Sequence, residues 1–549
     1  MDTFTIVMAM LIAVMLSGIL VRVFPIPIPV PFIQIGLGFL IAAIFQRGVL
    51  IEPEIFFLLF LPPLLFLDGW RVSKLAVVRE ASSIFQLAIG LVFLTVIGVG
   101  YLIHWMIPSI PLPVAFAIAA IVSPTDPVAV GAISNRVPIP RKMMAILEGE
   151  SLLNDASGLV AFRFAVAAAV TGSFSLSQAT LSFLWLSLAG ITIGAGLTAI
   201  LMYGNGIIRR KFGVAPGNDV LLSLIVPFLV YSVAEYMQVS GILAAVAAGI
   251  CMSYVEMSGR LQATTRVERQ AVWTMVRFTL NGMMFVLLGE QLPVLLKGLK
   301  LAADESGGRE LYWLPIYGAL ICLGLVLTRL LWVVVSLKLG EFFARRRGKQ
   351  RTKISKRIML AISVAGVRGA VTLAGVMTLP LAMSDGSPFP ARELAICLAA
   401  IVLLFSLVIA SVGLPLLLKK EHHPANDQVL RERTIVQDAI LNAALKSIAT
   451  TCQELAAEHP DDITLYTNMA DRLSISLLRQ SGKDEQEKSS EALAREQEIS
   501  RNMRLKAVVA SRQAVYHLAK QHRISDTLAR EQVLWLDMEE ARILGGHLD

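Results

Sequence analysis

Charge is what this chain has least of. Asp, Glu, Lys and Arg together make up 16% of its 549 residues, against about 25% in an ordinary soluble domain. The hydrophobic fraction is 55% and the mean hydropathy is +0.67, so most of the chain belongs in lipid. One giant soluble core is excluded by scaling, because cores stop growing at roughly 250–300 residues. Cysteine is scarce as well. Cys251, Cys322, Cys397 and Cys452 lie far apart with no metal-ligand spacing, and they read as small hydrophobes or free thiols. The first apolar run, Phe4 to Val23, is preceded by a single charge, Asp2, and followed by no small-residue cleavage site. It reads as a retained helix, not a signal peptide. Asn-x-Ser/Thr sequons are missing too, which with the short tail points to a bacterial inner membrane.

What the chain does have is a series of apolar runs, each near the ~20 residues that cross a bilayer as a helix. Hydropathy predicts thirteen, at about 4–23, 27–45, 54–70, 83–105, 112–134, 142–170, 180–204, 218–236, 240–257, 271–295, 312–340, 357–380 and 391–418; the count becomes twelve if one of the short, proline-interrupted second and third runs is not a span. Basic residues then set the orientation. One set of alternate loops carries Arg71, Lys74 and Arg79, then Arg136, Arg141 and Lys142, then Arg209, Arg210 and Lys211, then Arg260, Arg266 and Arg269, and the run from Lys338 to Arg357. The opposite set holds few. The positive-inside rule places the first set in the cytoplasm, the N-terminus outside and the C-terminus inside. The net charge of +8 is therefore a topology signal, and no nucleic-acid partner is needed to explain it.

Two domains follow from composition: a transmembrane part, residues 1–418, and a cytoplasmic helical tail, 419–549. In the tail, helical periodicity runs through Ile435–Glu458 and again through Met503–Leu544, while Gly482 to Glu498 reads as a charged linker or exposed helix. The tail is a candidate for regulation, for supporting a dimer or for binding an unknown regulator. His422 and His423 have no further ligand spaced to join them.

The richest chemistry lies in 38 residues, Ile121 to Gly158, which carry Asp126, Glu148, Glu150 and Asp155 amid apolar runs. Carboxylates at membrane depth are costly, so a functional site is the default reading. In Ser123-Pro124-Thr125-Asp126-Pro127 the two prolines remove helical donors. The freed carbonyls, the Thr125 hydroxyl and the Asp126 carboxylate, with Ser123 beside them, are oxygen ligands of the kind hard cations prefer. A bland alternative is a proline kink with Asp126 capping a half-helix. In the sixth span Ser151 and Asp155 stand at i,i+4, and Glu150 and Asn154 do likewise on an adjoining strip. Asp155 lies thirteen residues beyond Lys142, roughly 20 Å up a helix. Near mid-bilayer, proton and metal ion can compete for such a carboxylate.

The twelfth span contains Gly366-Val367-Arg368-Gly369. An arginine there needs a partner, and Glu150 is the best candidate, with Glu148 the competitor. Interruptions in the fifth and twelfth spans, an odd seven apart, match an inverted-repeat transporter with a midplane site. Asp68 is an even choice between accessory site and interface anchor. Arg163 and Arg277 pair or snorkel, Glu290 is expected at the interface, and Asn281 in a helix–helix hydrogen bond.

LPPLLF (61–66), SPTDP (123–127), EGESLLNDASG (148–158) and GVRGA (366–370) together resemble the monovalent cation/proton antiporters of the NhaP type. The resemblance covers residues 4–418. It implies an all-α polytopic fold with thirteen helices and two crossed broken helices, a core domain moving against a dimerisation domain, and a homodimer. It implies exchange of Na+, or Li+ or K+, for H+ with no cofactor. Asp155 resembles the carboxylate shared by cation and proton, and Asp126 and Thr125 the broken-helix contributors. Ser151 and Asn154 look like supporting groups, and Glu150 with Arg368 like the buried structural pair. Na+ is then expected at Asp126, Ser151 and Asp155. An Asn before the key Asp, as Asn154 is, goes with electroneutral exchange. Leu67 intervenes between LPPLLF and Asp68, where many members place an acid or amide directly. Two rival classes remain: an intramembrane aspartyl hydrolase, which needs two carboxylates sharing a proton, and a channel or sensor on the same fold.

Overall fold

A computed structural model describes residues 2–23, 29–45, 53–74, 81, 83–126, 130, 141–172, 176–213, 216–257, 263–306, 310–346, 355–383, 387–418, 425–479 and 490–545. Its described residues are helical apart from turns and one isolated bridge, Ala382 to Pro388. In lipid every backbone N–H and C=O must be satisfied internally, and a helix does this within one segment.

The membrane part comprises α1 (Asp2–Val23), α2 (Val30–Phe45), α3 (Pro53–Arg71), a π-helical turn (Gln86–Leu91) running into α4 (Val92–Met106), α5 (Leu112–Val122) and α6 (Arg141–Thr171). It continues through α7 (Leu176–Phe212), α8 (Pro216–Tyr236), α9 (Gly241–Met257), α10 (Ala263–Glu305), α11 (Trp313–Arg346), α12 (Lys356–Val364), α13 (Ala370–Met377) and α14 (Arg392–Leu418). Among the described residues, eight helices are long and apolar enough to cross a membrane, and three shorter apolar helices accompany them. Helix is found at each run read as a span.

Packing sorts these helices into two bodies. One gathers α1–α3 and α7–α10 around Phe66, Trp70, Val230, Ala244 and Trp273. Here α3 and α9 approach until backbones touch: a Cβ on Gly249 would collide with the Phe66 carbonyl oxygen, and one on Gly69 with that of Val246. Small residues permit such contact where lipid supplies no hydrophobic drive between helices. The other body packs α4–α6 and α11–α14 around Val99, Ile103, Ala115, Ala119, Leu398 and Leu403, all of them fully buried.

In this second body two helices are broken, and the breaks meet. α5 stops at Val122, just before Pro124, and the chain between α12 and α13 leaves helical geometry from Ala365 to Gly369. Asp126 donates its N–H to the Val367 carbonyl at 2.7 Å, and Arg368 Nε donates to the Val122 carbonyl at 2.7 Å. Each interruption thus satisfies polar backbone that the other exposes, which is what allows non-helical chain at membrane depth. Pro127 and Arg136 lie outside the described residues.

The tail folds into α15 (Ala425–Glu458), a 3-10 turn (Pro460–Asp462), α16 (Ile463–Arg479), α17 (Ser490–Lys520) and α18 (Asp526–Gly545). The periodic stretch 503–544 is not one helix. It turns at His522, whose φ is 57°. Of the expected linker 482–498, the part from 490 is helical, and 482–489 lies outside the described residues, as do His422 and His423. Apolar faces of α15, α17 and α18 close over Val436, Val515, Leu528 and Leu536.

Candidate functional site

Where the breaks cross, a cavity of about 60 Å³ opens among α3, α6, α10 and both interruptions. Three carboxylates line it: Asp68 from α3, Asp126 from the first break and Asp155 from α6, with Thr125, Ser151 and Asn281 between them. Arg277 of α10 stands at its edge. The volume holds a small ion with a water or two. Asp126 lies against Gly369, where an added Cβ would sit 2.9 Å from Oδ2, and Gly369 caps the start of α13. A carboxylate there meets the positive end of a half-helix. Asp155 is half-buried. Among the described residues its oxygens take no hydrogen bond or ion pair, so its charge is directed at the cavity alone.

One turn away on the same helix, Glu150 is in the opposite situation. It is 1% exposed and receives Arg329 Nη1 at 2.6 Å and Nη2 at 2.7 Å, a bidentate pair of the strong kind. Arg329 Nε donates to the Ile362 carbonyl at 2.9 Å, in the last turn of α12. Thr125 Oγ1 donates to Glu150 Oε1 at 3.2 Å, and Asn154 Nδ2 donates to Thr125 Oγ1 at 3.0 Å. The network runs from α11 through α6 to the first break.

The expected pairing of Glu150 with Arg368 is therefore corrected. Arg368 is 4% exposed, but its guanidinium serves the Val122 and Gly366 carbonyls, and its own N–H reaches Ser406 Oγ at 3.1 Å. Freed carbonyls at two helix breaks need a donor as much as a carboxylate does. The sequence reading missed Arg329. It is a lone charge inside the apolar run 313–336, and the rule that flagged Arg368 applies to it equally.

Other residues fall as follows. Glu148 is not in the small cavity but in a larger one of about 540 Å³, where Asp68 and Arg277 also appear. Ser123 is buried, and its hydroxyl makes no hydrogen bond among the described residues. Asn281, expected in a helix–helix hydrogen bond, leaves its Oδ1 without a hydrogen bond among the described residues. Glu290, expected at the interface, is fully buried in α10. Arg163 faces Glu235 at 3.9 Å on the edge of a third, mostly apolar cavity. No group of three His, Cys, Asp or Glu among the described residues is placed to hold a metal ion.

The family described as sodium/hydrogen exchanger, transmembrane, matches residues 9–420, three quarters of the chain and all the helices around the cavity. The chain belongs to the sodium/hydrogen exchanger family. It is 38% identical over 551 residues to an uncharacterized Na+/H+ exchanger, YjcE, of Escherichia coli K12, and the match covers 99% of each chain. It is 44% identical over 426 residues to a sodium, potassium, lithium and rubidium/H+ antiporter of Bacillus pumilus, covering 77% of this exchanger and 62% of that protein. The sodium proton antiporter MjNhaP1 of Methanocaldococcus jannaschii shares the fold, with a TM-score of 0.54 at 19% identity over 76% of this chain and 99% of that one. This exchanger is thus a multi-pass membrane transporter rather than an enzyme, and the hydrolase reading falls away.

Proposed function

We propose that Asp155 is the carboxylate for which cation and proton compete as this exchanger alternates between the two faces of the membrane. The carrying observation is the contrast within α6: Asp155 opens on a small cavity with Asp126 and Asp68, while Glu150 is consumed by Arg329. Na+ would take oxygens from Asp155, Asp126 and Ser151, with Thr125 held in place by Glu150 and Asn154, and Asp68 as an accessory acid. Li+ and K+ are further candidates, since the Bacillus relative is named for several alkali ions. A proton on Asp155 removes the charge that holds the cation, and a bound cation expels the proton, so each ion leaves as the other arrives. With Asn rather than a second acid at position 154, one charge exchanges for one. The ions are cargo, and no cofactor is called for.

The two packed bodies support an arrangement in which the body holding the breaks moves against the one built on α3, α9 and α10. Residues 1–418 form the exchanger and 419–549 its cytoplasmic tail. Basic alternate loops support an inner-membrane orientation with the N-terminus periplasmic and the C-terminus cytoplasmic. The working unit is taken to be a homodimer, as the NhaP-type resemblance implies. In proteoliposomes with an imposed pH gradient, adding Na+, Li+ or K+ should collapse the gradient, and Asp155→Asn should not respond. Cation flux without proton movement would favour the channel reading instead.

A further inference from the structure

The larger cytoplasmic cavity is roofed by the chain's own last helix. Its floor and walls come from Asp68, Glu148, Glu256 and Arg277, and its roof from Tyr516, Arg530 and Asp537 of the tail. Asp68 and Arg277 also line the small cavity around Asp155, so the larger one is the way from that site to the cytoplasm. α18 lies across this way and is bolted down. Asp537, 1% exposed, takes Arg266 Nε at 2.6 Å and Nη2 at 2.5 Å, and Arg512 Nε faces it at 3.1 Å. Asp526, 4% exposed, accepts the Lys74 N–H. Arg530 Nη2 reaches Ser253 Oγ at 3.1 Å and the Val72 carbonyl at 3.4 Å. All of these anchors (Val72, Lys74, Ser253 and Arg266) belong to α9, α10 and the chain just after α3. That is the body opposite the one carrying Asp155.

We propose that α18 is an intramolecular cap that holds the cytoplasmic entrance of the exchanger shut, with Arg530 standing as a tethered cation where an entering one must pass. The inference rests on the exchange reading above. Glu256, Asp526 and Glu148 are the acids whose charge acts on Arg530, and Glu148 and Glu256 line the cavity an incoming Na+ would enter. A mobile cation therefore meets acids that a guanidinium already neutralises, under a helix that narrows the opening. The anchors sit on one body and the roof overhangs the other, so motion of the second body would change the fit of the cap, and release of the cap would widen the path. Among the bonds that hold it, Asp537 with Arg266 is a buried charge pair, and losing one partner of such a pair is strongly destabilising.

The test uses the full-length chain in proteoliposomes, comparing wild type, Arg530→Gln, Asp537→Ala and the swap Arg266→Asp with Asp537→Arg. If only a fraction of molecules is uncapped, apparent affinity is scaled by that fraction. Arg530→Gln and Asp537→Ala should then raise cation-driven proton flux about threefold or more at sub-saturating cytoplasmic Na+. They should leave the rate at saturating cytoplasmic Na+ unchanged. The swap should return the flux towards wild type, and hydrogen exchange across residues 526–545 should rise in both single variants and fall back in the swap. Equal flux in all four proteins, or an equal rise at sub-saturating and saturating cytoplasmic Na+, overturns the cap. Absence of cation-dependent proton flux in wild type would overturn the exchange reading instead, so the two failures are distinct. Should Asp537→Ala fold poorly, Arg530→Gln alone decides, because it removes no partner of a buried acid pair.

Discussion

Glu150 and Asp155 stand five residues apart on one helix, carry the same functional group and are buried in the same bilayer. One receives two guanidinium hydrogen bonds and a threonine hydroxyl; the other faces a cavity with two more acids. The difference shows that a carboxylate's role in a membrane is set by what satisfies it. A charge fully paired is fixed in one state and holds structure. A charge left to a small polar cavity must take a counter-ion or a proton, and taking them in turn is exchange.

That contrast can be broken from either side. Substituting Asp155 by Asn should remove all cation-dependent proton movement in proteoliposomes while leaving the yield of folded protein as it was, because no hydrogen bond among the described residues depends on it. Substituting Arg329 by Ala should do the reverse first. It strands Glu150 in the interior and should cost about 3–5 kcal/mol, seen as lost yield and a lower melting temperature in detergent. Replacing both partners together, Arg329→Met with Glu150→Met, should recover much of that stability, since no uncompensated charge remains. Removing the Arg368 guanidinium, as Arg368→Met, exposes two carbonyls rather than a carboxylate. About 1–3 kcal/mol is expected, smaller than for Arg329, and thermal unfolding of the two variants side by side would sharpen the comparison.

The smallest effect belongs to the tail. Burial lowers the Lys74 ammonium to about 8, opposed by Asp526 and Glu256 and reinforced by Arg530. An unfolded lysine titrates near 10.4. Between those values the unfolded chain binds more protons than the folded one, so stability rises with pH across that window and the handicap is fully present below about 8. The melting temperature of wild type should therefore climb between pH 8 and 10 relative to Lys74→Met, which has no such proton to lose. Parallel curves would place Lys74 outside the docked contact.

Much of the membrane part was legible because lipid leaves few options. Runs of ~20 apolar residues become helices there, and Pro124 and the glycines flanking Arg368 announced where helices would fail. That the two failures answer each other, Asp126 to Val367 and Arg368 to Val122, is a three-dimensional fact that spacing along the chain does not contain. The same blindness misassigned Glu150. Arg368 needs a partner at membrane depth and Glu150 is the best candidate the sequence offers, whereas Arg329 sits in an otherwise featureless apolar run and reaches Glu150 only through helix packing. In the tail, periodicity located helices but not the turn at His522, and nothing in the sequence signalled that Asp537 would find Arg266, 271 residues earlier.

The most direct test is proton release on cation binding. Purified protein in weakly buffered detergent solution is mixed with NaCl, with choline chloride as the control, and the pH is followed. Exchange by competition at Asp155 predicts release of about one proton per bound cation from wild type, retained when Arg530 is replaced and absent from Asp155→Asn. Undiminished release from Asp155→Asn would show that the proton resides elsewhere and would contradict the account.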